Sequence, residues 1–124
     1  MKHILAIFIS LLLQVVPIEL FAESSNSDEK AIIQQRQISN KSLAEQDIEA
    51  FLGTLMPDYH VVTAANYQLS GHQAQREMMQ RVFTEYPDAS YVRSPVKLDF
   101  NPAQDTAAET GAWAGKWTRD GRQV

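Results

Sequence analysis

The spacing of apolar residues changes character along this chain, and each change marks an element. After the polar stretch at 23–27, Ala31, Ile32, Ile33, Ile38 and Leu43 form a loose helical stripe. Asn26 or Ser27 can cap it, and Asp28 and Glu29 in the first turn suit the positive end of the dipole, so the pattern predicts a helix over 28–44. Ile48, Phe51, Leu52, Leu55 and Met56 recur at helical spacing between the capping Asp47 and the terminating Pro57, which predicts a shorter helix over 47–56. The β-branched run from Tyr59 to Ala64, the turn residue Asn66 and the extended Tyr67-Gln68-Leu69 predict a strand and a short return. Ser70-Gly71-His72-Gln73 has the spacing of a capping box. Behind it Ala74, Met78, Val82 and Tyr86, with Met79 and Phe83 beside them, predict a third helix over 71–86, its solvent side formed by Gln75, Arg76, Glu77, Gln80 and Arg81.

Two strands close the pattern. Over 90–100, Val92, Ser94, Val96, Leu98 and Phe100 alternate with Tyr91, Arg93, Pro95, Lys97 and Asp99, and Pro95 implies an edge or a bulge. Over 105–118 one face reads Ala107, Glu109, Gly111, Trp113, Gly115, Trp117, which collects an acid and both tryptophans of the protein. Asp120-Gly121 is a hairpin turn signal with only Arg122-Gln123-Val124 behind it, too short a return to pair the whole tryptophan strand, so an exposed edge is expected.

The N-terminus has a different pattern. A basic head, Met1-Lys2-His3, precedes the apolar run from Ile4 to Val16 and a cleavage region from Pro17 to Ala22, which reads as a secretory signal peptide over 1–22 and places the protein in the periplasm or the medium. An uncleaved anchor is the alternative, but Gln14, Pro17 and Glu19 interrupt the run short of the ~20 apolar residues a spanning helix needs. With 124 residues the chain has room for one domain, here 28–124. The net charge of -4, with scattered Lys and Arg, argues against nucleic acid as a partner, and no membrane contact is expected after cleavage. The absence of cysteine excludes disulfides, thiolate catalysis and cysteine zinc sites.

The element order, with Ala44-Glu45-Gln46-Asp47 before Phe51-Leu52, Gly71 opening the third helix and Ala107-Ala108-Glu109-Thr110-Gly111-Ala112-Trp113 on a late strand, resembles the nuclear transport factor 2-like superfamily. Within it the chain is similar to the secreted bacterial branch of SnoaL-like proteins known as domain of unknown function 4440. The resemblance implies an α+β, cone-shaped fold in which N-terminal helices pack on a curved antiparallel sheet around a cavity, often in homodimers. It implies no single activity, since this scaffold carries isomerases, cyclases, dehydratases and binding modules. Two departures stand out. Thr63 occupies the place where ketosteroid isomerase-like members carry a carboxylate base, and the strands that close the cone in relatives are missing after Asp120-Gly121, so the domain is expected to be incomplete.

Glu109 is the one candidate for chemistry, because a carboxylate between Trp113 and backbone on a concave face can be desolvated and serve as a general acid or base; the alternative is that it pairs with an arginine or caps backbone. Tyr59, Val61 and Thr63 share one side of the first strand, and Glu109, Trp113 and Trp117 share one side of the tryptophan strand, so all six are expected to line one ligand cavity. The tryptophans can equally be core. His60 and His72 have no metal-ligand spacing, and neither a metal nor a cofactor is expected. Three functional readings remain: an exported, non-catalytic module that binds a small apolar ligand or assembles with a second copy; a degenerate fragment without function; and a small isomerase or lyase using Glu109 with Tyr59 as donor. The lack of a second catalytic group favours the first.

Overall fold

The computed structural model describes residues 19–101, 103 and 105–124. The expected signal peptide therefore lies outside the described residues up to position 18, and residues 19–22 form the first turn of α1 (Glu19–Ala44). That helix starts ahead of the expected position near Asp28 and runs through 23–27, read from sequence as a polar lead-in. Extending a helix adds one hydrogen bond per residue fixed, so Asn26 and Ser27 become interior positions instead of caps. The side of α1 that faces the protein is Ile32, Arg36, Ser39, Asn40 and Leu43, whereas Ile33 and Ile38 are exposed. Polar side chains with partners on the sheet have won the inward face from isoleucines.

Asp47 caps α2 (Ile48–Leu52), its Oδ1 accepting the Ala50 N–H at 3.0 Å. The helix stops at Leu52 and not at 56, because the Thr54 and Leu55 N–H groups turn back to the Phe51 and Leu52 carbonyls. Phe51 and Leu52 are buried against Leu43 of α1 and Met79 of α3 (Gly71–Glu85), with Ile48, Leu55, Met78, Phe83 and Tyr91 packed around them. This is the core, and it lies where the three helices meet. Ser70 occupies the N-cap position of α3 in extended backbone, but the expected capping box does not form. The Ser70 hydroxyl is bonded instead to Nδ1 of its cross-strand neighbour His60 at 2.7 Å, and Gln73 donates to Glu77. Gln75, expected on the solvent side, is only 4% exposed and lies on the inward stripe with Met79 and Val82.

The strands form three two-stranded antiparallel ladders: β1 (His60–Val62) with β2 (Gln68–Ser70), β3 (Ser90–Asn101) with β4 (Thr106–Lys116), and β5 (Thr118–Arg119) with β6 (Arg122–Gln123). The β3–β4 ladder dominates. Its register shifts between Pro95 and Lys97, leaving Val96 as an unpaired bulge residue. The bulge reverses the alternation from that point on, so residues expected on opposite faces before and after it share a side. Tyr91, Arg93 and Pro95 share the more buried side with Leu98 and Phe100, and Val96 is thrown out to solvent. A Cβ at Gly111, opposite the bulge, would collide with the Ser94 carbonyl oxygen, so a glycine is needed there.

Both edges of this ladder can be assigned. Asn40 of α1 bonds both backbone groups of Arg93, donating from Nδ2 to the carbonyl at 2.8 Å and accepting the N–H on Oδ1 at 2.9 Å, so a helix side chain covers the β3 edge at that point. At the other end Asp88 binds the Thr118 N–H and hydroxyl from the β3 side, while Trp117 exchanges backbone hydrogen bonds with Val124. Neighbouring residues of a strand point their N–H groups to opposite edges, so Arg122–Val124 lies on the outer edge of the tryptophan strand. The turn uses left-handed Asp120 and Gly121, as the dipeptide predicts. The rest of the β4 outer edge has no strand partner among the described residues.

Candidate functional site

Two recesses meet at Tyr59 and Arg93. The larger has a volume of about 380 Å³. Strand alternation turns Tyr59, Val61 and Thr63 inward to form one wall. Gln75, Met78, Met79 and Val82 of α3 form a second, at the i, i+3, i+4, i+7 spacing of one helix face. Tyr91, Arg93 and Trp113 of the main ladder form the third. Tyr91 and Trp113 lie on neighbouring strands with ring centroids 6.1 Å apart and planes tilted by 46°. The Tyr91–Trp113 pair depends on Gly115, where a Cβ would stand 2.7 Å from Trp113 Cζ3 and 3.1 Å from Tyr91 Cδ1. Trp113 remains 60% exposed, which puts it at the mouth of the cavity and not at its floor. Burial pushes the Tyr91 phenol above its ordinary pKa, so it stays a neutral donor.

Besides the hydroxyls of Tyr59, Thr63 and Tyr91, two polar side chains interrupt this apolar lining. The Gln75 amide oxygen is buried and has no hydrogen-bond partner among the described residues. Arg93 is the one charged residue lining the larger cavity, and among the described residues its guanidinium makes no ion pair.

The smaller recess, about 300 Å³, lies between α1 and the far part of the ladder. Glu109 is here, and its carboxylate is engaged by Arg36: Nε stands 3.1 and 3.2 Å from the two oxygens and Nη2 2.9 Å from Oε1. Each side chain is 21% exposed, so the pair is largely withdrawn from water. Ser39 Oγ, buried and lining the same recess, has no partner among the described residues.

The six residues expected around one cavity are thus divided. Tyr59, Val61, Thr63 and Trp113 line the larger recess, Glu109 lines the smaller one together with Tyr59, and Trp117 lines neither. Trp117 packs instead against Tyr86, with ring centroids 6.2 Å apart. Strand rise explains the division: Glu109 and Trp117 are eight residues apart, about 26 Å along an extended strand. A sphere of 380 Å³ is only about 9 Å across. Alternation gives a shared face, and rise limits how much of that face one cavity can use. His60 is held by Ser70, and His72 Nε2 lies 2.9 Å from the Leu55 carbonyl, so the two rings serve separate local bonds. Among the described residues no three His, Asp or Glu side chains are grouped as a metal site would need.

Sequence reasoning missed Arg36, Asn40, Gln75 and Arg93. A signal was present for three of them: Ile32, Arg36, Asn40 and Leu43 recur at i, i+4, i+8, i+11, and Gln75 keeps helical spacing with Met79 and Val82. For Arg93 the bulge had to be placed first.

No protein-family model and no curated protein matches the chain. Solved structures do. A candidate scytalone dehydratase from Novosphingobium aromaticivorans superposes with a TM-score of 0.71 at 17% identity, over 82% of this chain and 69% of that one. A protein from Catenulispora acidiphila gives a TM-score of 0.60 at 18% identity, over 81% and 73% of the two chains. Aln2 from a Streptomyces species gives 0.56 at 13% identity, over 87% and 73%. Helices packed on antiparallel ladders around an inner recess, together with these likenesses, show that the chain has the α+β fold of the nuclear transport factor 2-like superfamily.

Proposed function

We propose that this chain is an exported domain that binds a small, largely apolar molecule in its larger cavity without transforming it. The composition of the cavity carries the reading: Val61, Met78, Val82, Tyr91 and Trp113 surround a volume in the range of small-molecule sites, and among the described residues no carboxylate or imidazole lines it. Acid–base catalysis needs a titrating group within hydrogen-bond reach of the reacting atom. Glu109, the one candidate, lies in the other recess with both carboxylate oxygens engaged by Arg36.

One observation favours a second reading. Tyr59 and Glu109 share the smaller recess, the donor and base that a lyase would use, and one structural neighbour is a candidate scytalone dehydratase. The Arg36 pairing weighs against it.

Titration with 8-anilinonaphthalene-1-sulfonate, followed by dye emission and Trp113 quenching, tests the binding reading. Saturable binding is expected, and it is expected to be lost when Val61→Trp fills the cavity. Absence of binding, or binding that Val61→Trp leaves unchanged, refutes the proposal. Export is tested by intact-mass analysis of periplasmic or culture protein, where an N-terminus at Glu23 or within two residues of it is expected. An intact Met1 on a membrane fraction would mean an anchor.

A further inference from the structure

Among the described residues lining the larger cavity, which also carries the hydroxyls of Tyr59, Thr63 and Tyr91, Gln75 brings the one amide and Arg93 the one charge. Gln75 comes from α3 and Arg93 from β3, on different walls. A glutamine that is 4% exposed with an unpartnered amide oxygen is uncommon, because nearly all buried polar atoms find a partner. The oxygen needs a donor. The neighbouring amide nitrogen offers two N–H groups, so a hydroxyl, which donates and accepts from one atom, is the smallest group that can satisfy both ends of the amide.

Arg93 adds the second requirement. Asn40 fixes its backbone by two hydrogen bonds, so the guanidinium is carried on a rigid stretch of strand. Among the described residues no carboxylate neutralises it, and no acid lines this cavity. A half-buried guanidinium beside an apolar volume favours a carboxylate and repels a cation.

Resting on the binding reading above, we infer that the ligand is an apolar hydroxy acid whose hydroxyl meets the Gln75 amide and whose carboxylate meets the Arg93 guanidinium. A plain hydrocarbon would leave the amide oxygen unpaired, and an amine would meet the charge of Arg93.

The test uses naphthalene derivatives as probes, with calorimetry or Trp113 quenching as readout on the full chain. 6-Hydroxy-2-naphthoate is compared with 2-naphthoate, 6-methoxy-2-naphthoate and 2-naphthol. In the wild type, replacing the hydroxyl by hydrogen or methoxy is expected to weaken binding about tenfold, the value of one satisfied hydrogen bond. Removing the carboxylate is expected to weaken binding and to abolish its dependence on salt. Gln75→Met is expected to bind 6-hydroxy-2-naphthoate and 2-naphthoate equally, and Arg93→Met to bind 6-hydroxy-2-naphthoate and 2-naphthol equally. The wild-type series stands without the variants should either fail to fold. If the apolar probes bind but the hydroxyl and carboxylate bring no gain, or the gain survives in both variants, this inference is overturned and the binding reading stands. If no probe binds, both fall.

Discussion

Replacing Gln75 by methionine should make the unliganded protein more stable, although nothing is added to it. The Gln75 oxygen is buried without a donor, and a polar atom in that state costs about 1–3 kcal/mol of desolvation. Methionine has nearly the same length and volume, so the substitution opens no void beside Met78 and Met79. Glutamine and methionine are also close in helix propensity, so α3 itself is unaffected. Removing the unpaired oxygen should therefore raise the unfolding free energy by about 1–2 kcal/mol. For a domain of this size each kcal/mol moves Tm by about 4–8 °C. Urea and thermal unfolding followed by circular dichroism measure this directly, with Gln80→Met as control, because Gln80 is exposed on the same helix and its replacement should change little. Unchanged or lower stability of Gln75→Met would refute the reasoning, since it would mean that the amide is satisfied in the absence of ligand.

Three further outcomes are expected. Glu109→Ala should lower stability by about 1–3 kcal/mol in chemical denaturation, because it strands the half-buried Arg36 guanidinium, and Arg36→Met combined with Glu109→Leu should recover most of the loss. Gly111→Ala should cost about 1–3 kcal/mol in the same assay, since the added methyl meets the Ser94 carbonyl and must displace the bulge. Hydrogen bonds from Thr118 hold the Asp88 carboxyl below its ordinary value of 3.8, so this clasp should be intact above that pH and lost as pH falls through the lowered value; amide exchange at Thr118 should quicken there, and exchange independent of pH-driven opening would refute the clasp.

The elements were legible because each rests on a local cause. Asp47 caps α2 as read, Pro95 introduces a bulge, and Asp120-Gly121 turns a hairpin, all of them effects of a residue on its own neighbourhood. The errors arose where a distant partner decided the outcome. Ser70 has the right spacing for a capping box, but His60 lies opposite it on β1 and takes its hydroxyl. The helix α1 turns Arg36 and Asn40 inward instead of Ile33 and Ile38 because Glu109 and the Arg93 backbone lie within reach. Hydropathy ranks an isoleucine above an arginine, yet two charge-assisted hydrogen bonds and a doubly bonded amide outweigh one half-buried aliphatic side chain.

The site was legible in its faces but not in its extent. Strand alternation puts Tyr59, Val61 and Thr63 on one face, and these three line the larger recess together with Trp113. It also set Glu109 on the same face as Trp113, four residues away, which is about 13 Å along the strand and beyond the span of one small cavity. What separates the two is the pair of residues common to both recesses, Tyr59 and Arg93, and unbroken alternation through Val96 sets Arg93 on the face opposite Leu98 and Phe100. With the extra residue counted, Tyr91 and Arg93 turn inward with Leu98 and Phe100, and the one cationic group among the described residues lining the larger recess takes its place. The same holds on α3, where a single polar residue in an apolar stripe reads as a boundary of the stripe until the spacing from Gln75 to Met79 and Val82 is given more weight than the polarity of Gln75. Polar residues that keep the period of a buried face are the ones whose burial has to be explained by a partner, and none of the described residues supplies the one that the Gln75 oxygen lacks.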